Sequence, residues 1–101
     1  SVSLPICEDV RGGAFSNCTA LSQIELPVCK SIGAMTFYNC SSLSIITIGY
    51  SSVCSFPYSN AFSGTQITSS TGSIYVPASL VDAYKSAENW SVYSNIIYPI
   101  N

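Results

Sequence analysis

Apolar residues fall on every second position in several short runs of this chain. In Gln23-Ile24-Glu25-Leu26, Ile24 and Leu26 share one face while Gln23 and Glu25 take the other, as in a half-buried strand. Ile46 and Ile48 repeat the alternation, and so do Ile74 and Val76. Leu4-Pro5, Leu26-Pro27 and Val76-Pro77 close such runs, and proline ends a strand because it offers no N–H to the ladder. Between the first two, the pattern recurs after 22 residues. Leu4 maps to Leu26, Cys7 to Cys29, Val10 to Ile32, Phe15 to Phe37, Asn17 to Asn39, Cys18 to Cys40, Leu21 to Leu43 and Ile24 to Ile46. A fixed period of this length predicts stacked small units, a solenoid in which each unit buries its apolar face against its neighbours.

Within a unit the strand is followed by a second extended piece (Cys29 and Ile32) and a corner for which Gly12, Gly13 and Gly33 are suited. Phe37 is the large core filler, Asn39 is expected to point inward as an amide ladder, and Leu43 leads to the next strand. Units run from Ser3 to about Glu25 and from Glu25 to Thr47. The third unit is irregular. Gly49 replaces the proline, Cys54 and Ala61-Phe62 arrive three residues late, and Ser63-Gly64-Thr65 replaces Asn-Cys. Gly49–Tyr58 and Thr65–Gly72 read as loop insertions, with Ile67 in the role of Leu43. After Pro77 the spacing changes. Ser79 and Asp82 resemble a capping box, and Leu80, Ala83, Tyr84 and Ala87 recur at helical spacing. The expectation is coils over residues 1–77, about three and a half units, and a helical cap over 78–101. Its helix is placed at Ser79–Asn89, with Trp90 anchoring the end and Tyr93, Ile96 and Ile97 adding apolar bulk. With no matching cap at the front, the chain reads as the C-terminal slice of a longer protein.

Composition narrows the function classes. The chain has 101 residues, 8% charged and 48% apolar, and a formal charge of -2. No run approaches the 18 apolar residues of a spanning helix, so membrane insertion is not expected. Arg11, Lys30 and Lys85 are too few to neutralise a phosphate backbone, which argues against nucleic acid. Five cysteines cannot all pair within one chain. Their spacing forms two columns, Cys7-Cys29-Cys54 and Cys18-Cys40, and small buried thiols are the plain reading. A bridge between stacked cysteines is geometrically open, because coils about 4.8 Å apart fall within the Cα separation of a disulfide.

The run Leu26-Pro27-x-Cys29-x-x-Ile32-Gly33-x-x-x-Phe37-x-Asn39-Cys40-x-x-Leu43-x-x-Ile46-x-Ile48 resembles the BspA-like class of bacterial leucine-rich repeats. Ile74-Tyr75-Val76-Pro77-Ala78-Ser79-Leu80-Val81-Asp82-Ala83-Tyr84, with Trp90, resembles the C-terminal cap of such arrays. Arg11-Gly12, Met35-Thr36 and the missing Asn-Cys of unit three depart from the pattern. The resemblance implies an α+β repeat solenoid, a leucine-rich-repeat-like stack of short parallel strands with a C-terminal capping helix. It also implies extracellular or cell-surface proteins of host-associated bacteria, used in adhesion and protein binding, with no catalytic residues to carry over.

The residues themselves offer little chemistry. Histidine is absent, which removes the commonest general base and zinc nitrogen ligand. Glu8 and Asp9 are neighbours, so on an extended segment they face opposite ways. Lys30 follows Cys29 but points away from it, and close cysteine pairs suited to zinc are missing. Neither an enzyme, a metal nor another cofactor is expected. Sequons at Asn17, Asn39 and Asn89 read as by-products of the repeat.

The outward strand positions carry the functional expectation. In register they form one row of Ser3, Glu25, Thr47 and Tyr75 and another of Ser1, Gln23, Ile45 and Ser73, with Ile45 near Tyr75 as an apolar patch. Tyr50, Tyr58, Tyr93 and Tyr98 could build an aromatic carbohydrate platform, or cover the cap and loops. The reading is a non-enzymatic module that binds protein or glycan, host-derived ligands among them, through its β-face. The alternative is a structural spacer or fibre component of a cell surface or phage particle. Val2, Leu4, Ile6, Cys7 and Phe15 form an uncovered first coil, so the expectation is either a front-to-front homodimer of the fragment or continuation into preceding repeats.

Overall fold

The computed structural model describes residues 2–3, 9–10, 13, 15–55, 62–67, 71–87 and 89–100, with the backbone alone for residues 2, 3, 9 and 10. Five short strands form one parallel sheet: β1 (Val2–Ser3), β3 (Gln23–Leu26), β5 (Ile45–Ile48), β6 (Ser73–Val76) and β7 (Ile97–Pro99), hydrogen-bonded in that order. A second parallel pair, β2 (Asp9–Val10) and β4 (Ser31–Ile32), is extended by a bridge from Ser31 to Ser55. The first three coils thus contribute to both sheets, the arrangement of a repeat-like fold.

Alternation along the strands sets the faces. Ile24 and Leu26 of β3 are buried while Gln23 and Glu25 are exposed. Ile46 and Ile48 of β5, and Ile74 and Val76 of β6, are buried in the same way. The 22-residue period becomes a register of 22: Gln23 pairs with Ile45, Glu25 with Thr47 and Leu26 with Ile48. Inside, Phe15 stacks on Phe37 with ring centroids 5.6 Å apart, and Phe37 on Phe62 at 5.5 Å. Phe62 then meets Tyr93 edge-on at 5.7 Å and Trp90 at 6.1 Å. Offset or edge contacts of this kind add to the burial of each ring. One apolar cluster therefore runs from the coils into the C-terminal segment.

The irregular third unit keeps the stack by substitution. Gly49, in place of proline, donates its N–H to the Leu26 carbonyl at 3.2 Å, a bond proline could not make. A Cβ on Gly49 would stand 3.2 Å from the Pro27 Cα. Thr65 takes the place of Cys40: each backbone N–H bonds to the carbonyl of the preceding core phenylalanine, Phe62 and Phe37. Thr65 is buried, and its Oγ1 donates to the Phe62 carbonyl at 2.7 Å, so the hydroxyl is satisfied. The buried Thr36 solves the same problem through Gly33 at 2.7 Å.

Several expectations are corrected. Asn17 and Asn39 do not point inward; both are exposed, in the left-handed conformation at φ 64 and 59. Asparagine suits that corner because its short amide tolerates it. The ladder still forms on the outside, with Asn39 Nδ2 donating to Asn17 Oδ1 at 3.3 Å. Gly64, at φ 80, holds the same corner in the third coil, where a Cβ would lie 2.6 Å from Asn39 Oδ1. Cys18 is exposed, whereas Cys29, Cys40 and Cys54 are buried. Leu4, Ile6, Cys7, Tyr58 and Ser1 lie outside the described residues.

The helix is shorter than Ser79–Asn89. A 3₁₀ turn, Ala78–Leu80, leads into α1 (Val81–Ser86), and no side chain caps either start, so the Ser79–Asp82 capping box is not formed. Within α1 only Tyr84 is buried; Leu80 and Ala87 lie partly buried against the core. Ala87 turns the chain into extended conformation at ψ 150. A 3₁₀ segment, Ser91–Ile96, then delivers Tyr93 and Ile96 to the core. Residues 97–99 return to the sheet as β7, a strand that the periodicity did not predict.

Candidate functional site

The exposed face of the five-stranded sheet is built by register. Ser3 pairs with Glu25, Glu25 with Thr47, Thr47 with Tyr75 and Tyr75 with Tyr98. Neighbouring strands lie about 4.8 Å apart, so Glu25 to Tyr98 spans roughly 14 Å. Gln23, Ile45 and Ser73 form the second row in the expected register. The structure thus brings Gln23, Glu25, Ile45, Thr47, Ser73 and Tyr75 onto one face. The Ser3 backbone joins them; its side chain is outside the described residues.

Exposure along the rows is uneven. Gln23 and Glu25 are exposed, while Ile45, Thr47, Ser73 and Tyr75 are half-buried. Ile45 is therefore not the open apolar patch expected of it, because its neighbours cover part of the side chain. The aromatic feature lies at the other end. Tyr98 is 42% exposed, and its ring lies 5.9 Å from that of Tyr75 at an interplanar angle of 39°. The Tyr98 hydroxyl donates to the Asn95 carbonyl at a long 3.5 Å. At the C-terminal ends of β3 and β5, Glu25, Leu26, Pro27, Thr47 and Gly49 line a shallow notch of about 120 Å³. Gly49 keeps the notch open, since a side chain there would press on the Pro27 backbone.

Tyr98 is the face residue that sequence reasoning misplaced among cap-covering tyrosines. The usable signal was the run Ile97-Tyr98-Pro99, which closes on proline as the runs ending at Leu4, Leu26 and Val76 do. Of the other tyrosines, Tyr93 is buried under Phe62 and Tyr50 packs partly against the core, so neither joins a surface platform.

Chemically the face offers hydroxyls, one carboxylate, one carboxamide and two phenol rings. That set suits reversible binding. Among the described residues no group of three or more His, Cys, Asp or Glu is placed to hold a metal ion. Among them too, no helix is long and apolar enough to cross a membrane. Burial pushes the Cys40 thiol above its ordinary pKa, which disfavours the nucleophilic thiolate.

A family model described as BspA type Leucine rich repeat region (6 copies) matches residues 2–97. The chain belongs to this leucine-rich repeat family. Within it, β1, β3, β5, β6 and β7 are the recurring parallel strands, and the match extends through Ile97 into β7. No curated protein and no solved structure matched the chain.

Proposed function

We propose that this BspA-type chain is a non-enzymatic binding module, displayed at the cell surface or secreted, that engages protein or glycan through the exposed face of its parallel sheet. In this reading the coils form an open solenoid over residues 1–77, and residues 78–101 close its end. The observation that carries the proposal is the Tyr75–Tyr98 pair, two tilted phenol rings in register beside Thr47 and Glu25. Tyrosine supplies a large amphipathic contact at little entropic cost and is enriched among binding hot spots. Thr47, Glu25 and the notch beside Pro27 extend the surface with polar partners. Front-to-front pairing of two copies belongs to the same proposal, and sedimentation over a concentration series tests it.

The test uses immobilised glycans and immobilised extracellular-matrix proteins as probes. The wild-type chain should be retained by at least one probe. The Tyr75→Ser, Tyr98→Ser double variant should lose roughly tenfold or more of that affinity, the scale of a hot spot, with unchanged melting. Retention of neither protein by any probe, or equal retention of both, would overturn the reading and favour a structural spacer.

A further inference from the structure

Cys29 and Cys54 stand on neighbouring coils with their Sγ atoms 3.6 Å apart, both side chains fully buried. Three features distinguish this contact from ordinary packing of small side chains. First, the parallel bridge from Ser31 to Ser55 fixes the backbones beside the two cysteines at sheet spacing. Cys29 precedes this bridge by two residues and Cys54 by one, so the two are near neighbours across the coils. Second, both thiols also contact nearby backbone, Cys29 Sγ the Ser31 carbonyl at 3.1 Å and Cys54 Sγ the Ser55 carbonyl at 3.7 Å, so both side chains are held where they meet. Third, Cys54 is held from the far side as well. Its N–H donates to the Tyr84 hydroxyl and its carbonyl accepts from the Trp90 indole, each at 2.8 Å.

The second column of thiols is arranged differently. Cys40 Sγ donates to the Phe15 carbonyl at 2.9 Å, while Cys18 is exposed. Among the described residues, similar repeat spacing therefore brings Cys29 and Cys54 into direct contact, while Cys40 is engaged by the Phe15 backbone.

We propose that Cys29 and Cys54 are a site of covalent modification, an inter-coil disulfide formed by exchange with a low-molecular-weight disulfide. The thiolate of one cysteine attacks a sulfur of the small disulfide, forming a mixed disulfide and releasing one small thiolate. The second cysteine thiolate attacks the protein-side sulfur, forming the Cys29–Cys54 bond and releasing the other. The two cysteine protons end on the two small thiols, so the protein dithiol is oxidised and the small disulfide is reduced. Burial bars the reagent from the closed fold, so exchange takes place while the third coil is still open. The bond then ties the second coil to the third, and through Cys54 to Tyr84 and Trp90.

Refolding from denaturant in a glutathione redox buffer, with air excluded, tests this. A Cys7→Ser chain removes the other thiol of the same sequence column and leaves four. After refolding, alkylation in denaturant should find two of those four thiols lost, and a peptide map should link Cys29 to Cys54. Reductant should restore both. Fluorescence of Trp90, the single tryptophan of the chain, should be lower in the oxidised form, because the new disulfide lies beside the indole. If the Cys7→Ser chain does not fold, the wild-type chain carries the same peptide map, with two of five thiols lost. Four free thiols in the variant, five in the wild type, or a bond joining any other pair would overturn the proposal.

Discussion

The Trp90 indole Nε1 donates a hydrogen bond to the Cys54 carbonyl at 2.8 Å, across 36 positions of the chain. Tyr84 completes the contact by accepting the Cys54 N–H at 2.8 Å. The two rings meet edge-on with centroids 5.2 Å apart. The C-terminal segment thus satisfies both backbone polar groups of one buried residue in the third coil. Trp90→Phe keeps much of the ring but leaves the carbonyl unpaired, and should cost about 1–3 kcal/mol. Trp90→Ala removes the packing as well and should cost about 3–5 kcal/mol, with aggregation on warming. Urea denaturation followed by circular dichroism measures both. A Trp90→Ala chain that melts like the wild type would show that this segment does not hold the coils.

Alkali should unfold the protein through the same contact. Burial pushes the Tyr84 pKa up to about 12, and burial raises that of Tyr93 also. In the unfolded chain both ionise near the ordinary value of about 10. A raised folded pKa stabilises the fold fully below about pH 10 and loses that contribution as pH climbs towards 12. The denaturation midpoint should therefore fall over this window, and Tyr84→Phe should flatten part of the fall. Phenolate absorbance gives an independent check. If all seven tyrosines ionise in one reversible wave near pH 10 with the fold intact, the burial of Tyr84 is not felt in solution.

Thiol accessibility should follow the coils. Cys18 is exposed, so it should react with a small thiol reagent in the native state; Cys29, Cys40 and Cys54 should react only on unfolding. Mass spectrometry after timed alkylation of the reduced protein assigns each site. Fast native labelling of Cys40 or Cys54 would mean that the stack opens locally far more easily than its packing implies.

Much of this arrangement was legible because the repeat is a ladder. Every position 22 residues apart that pairs in the sheet, such as Glu25 with Thr47, follows from the period alone. The inward set of Ile24, Leu26, Ile46, Ile48, Ile74 and Val76 follows from alternation. Two kinds of feature were not legible. Positive φ at Asn17 and Asn39 sends an amide outward where its recurrence suggested the core, and recurrence alone cannot separate a buried ladder from an exposed corner. Residues 97–99 show only one short run, with no second copy at the 22-residue spacing to set their register, so β7 and with it Tyr98 were absorbed into the expected cap. The face was therefore foreseen in its first rows and missed at its most exposed aromatic end.

Gly72 is a test of close approach. It is buried, and a Cβ there would fall 2.6 Å from the Ser44 carbonyl oxygen and 2.8 Å from Ile67 Cδ1. Ile67 could shift, but the Ser44 carbonyl accepts the Ser73 N–H at 2.7 Å and holds β6 at its start. Gly72→Ala should therefore destabilise by about 1–3 kcal/mol, the scale of overpacking in a tight core. Thermal melting measures it, and a neutral result would mean that the start of β6 moves freely away from β5.

Met35 is the converse case, a residue in a conformation that its side chain resists. Its φ is 54, and the equivalent place one period earlier is Gly13 at φ 73. The coils join there, since the Gly13 N–H donates to the Ala34 carbonyl at 2.9 Å. A residue with a Cβ gives up about 1–2 kcal/mol in the left-handed region, whereas glycine enters it freely. Met35 is 39% exposed, so replacing it forfeits little packing. Met35→Gly should stabilise by about 0.5–1 kcal/mol, the strain relieved less the greater freedom that glycine gives the unfolded chain. Met35→Asn should match it, because asparagine already serves in this conformation at Asn17 and Asn39. Met35→Val should destabilise, since a β-branched residue at positive φ is the worst case. Chemical denaturation of the three variants gives the order, and a Met35→Val chain as stable as Met35→Gly would show that this corner relaxes out of the left-handed region.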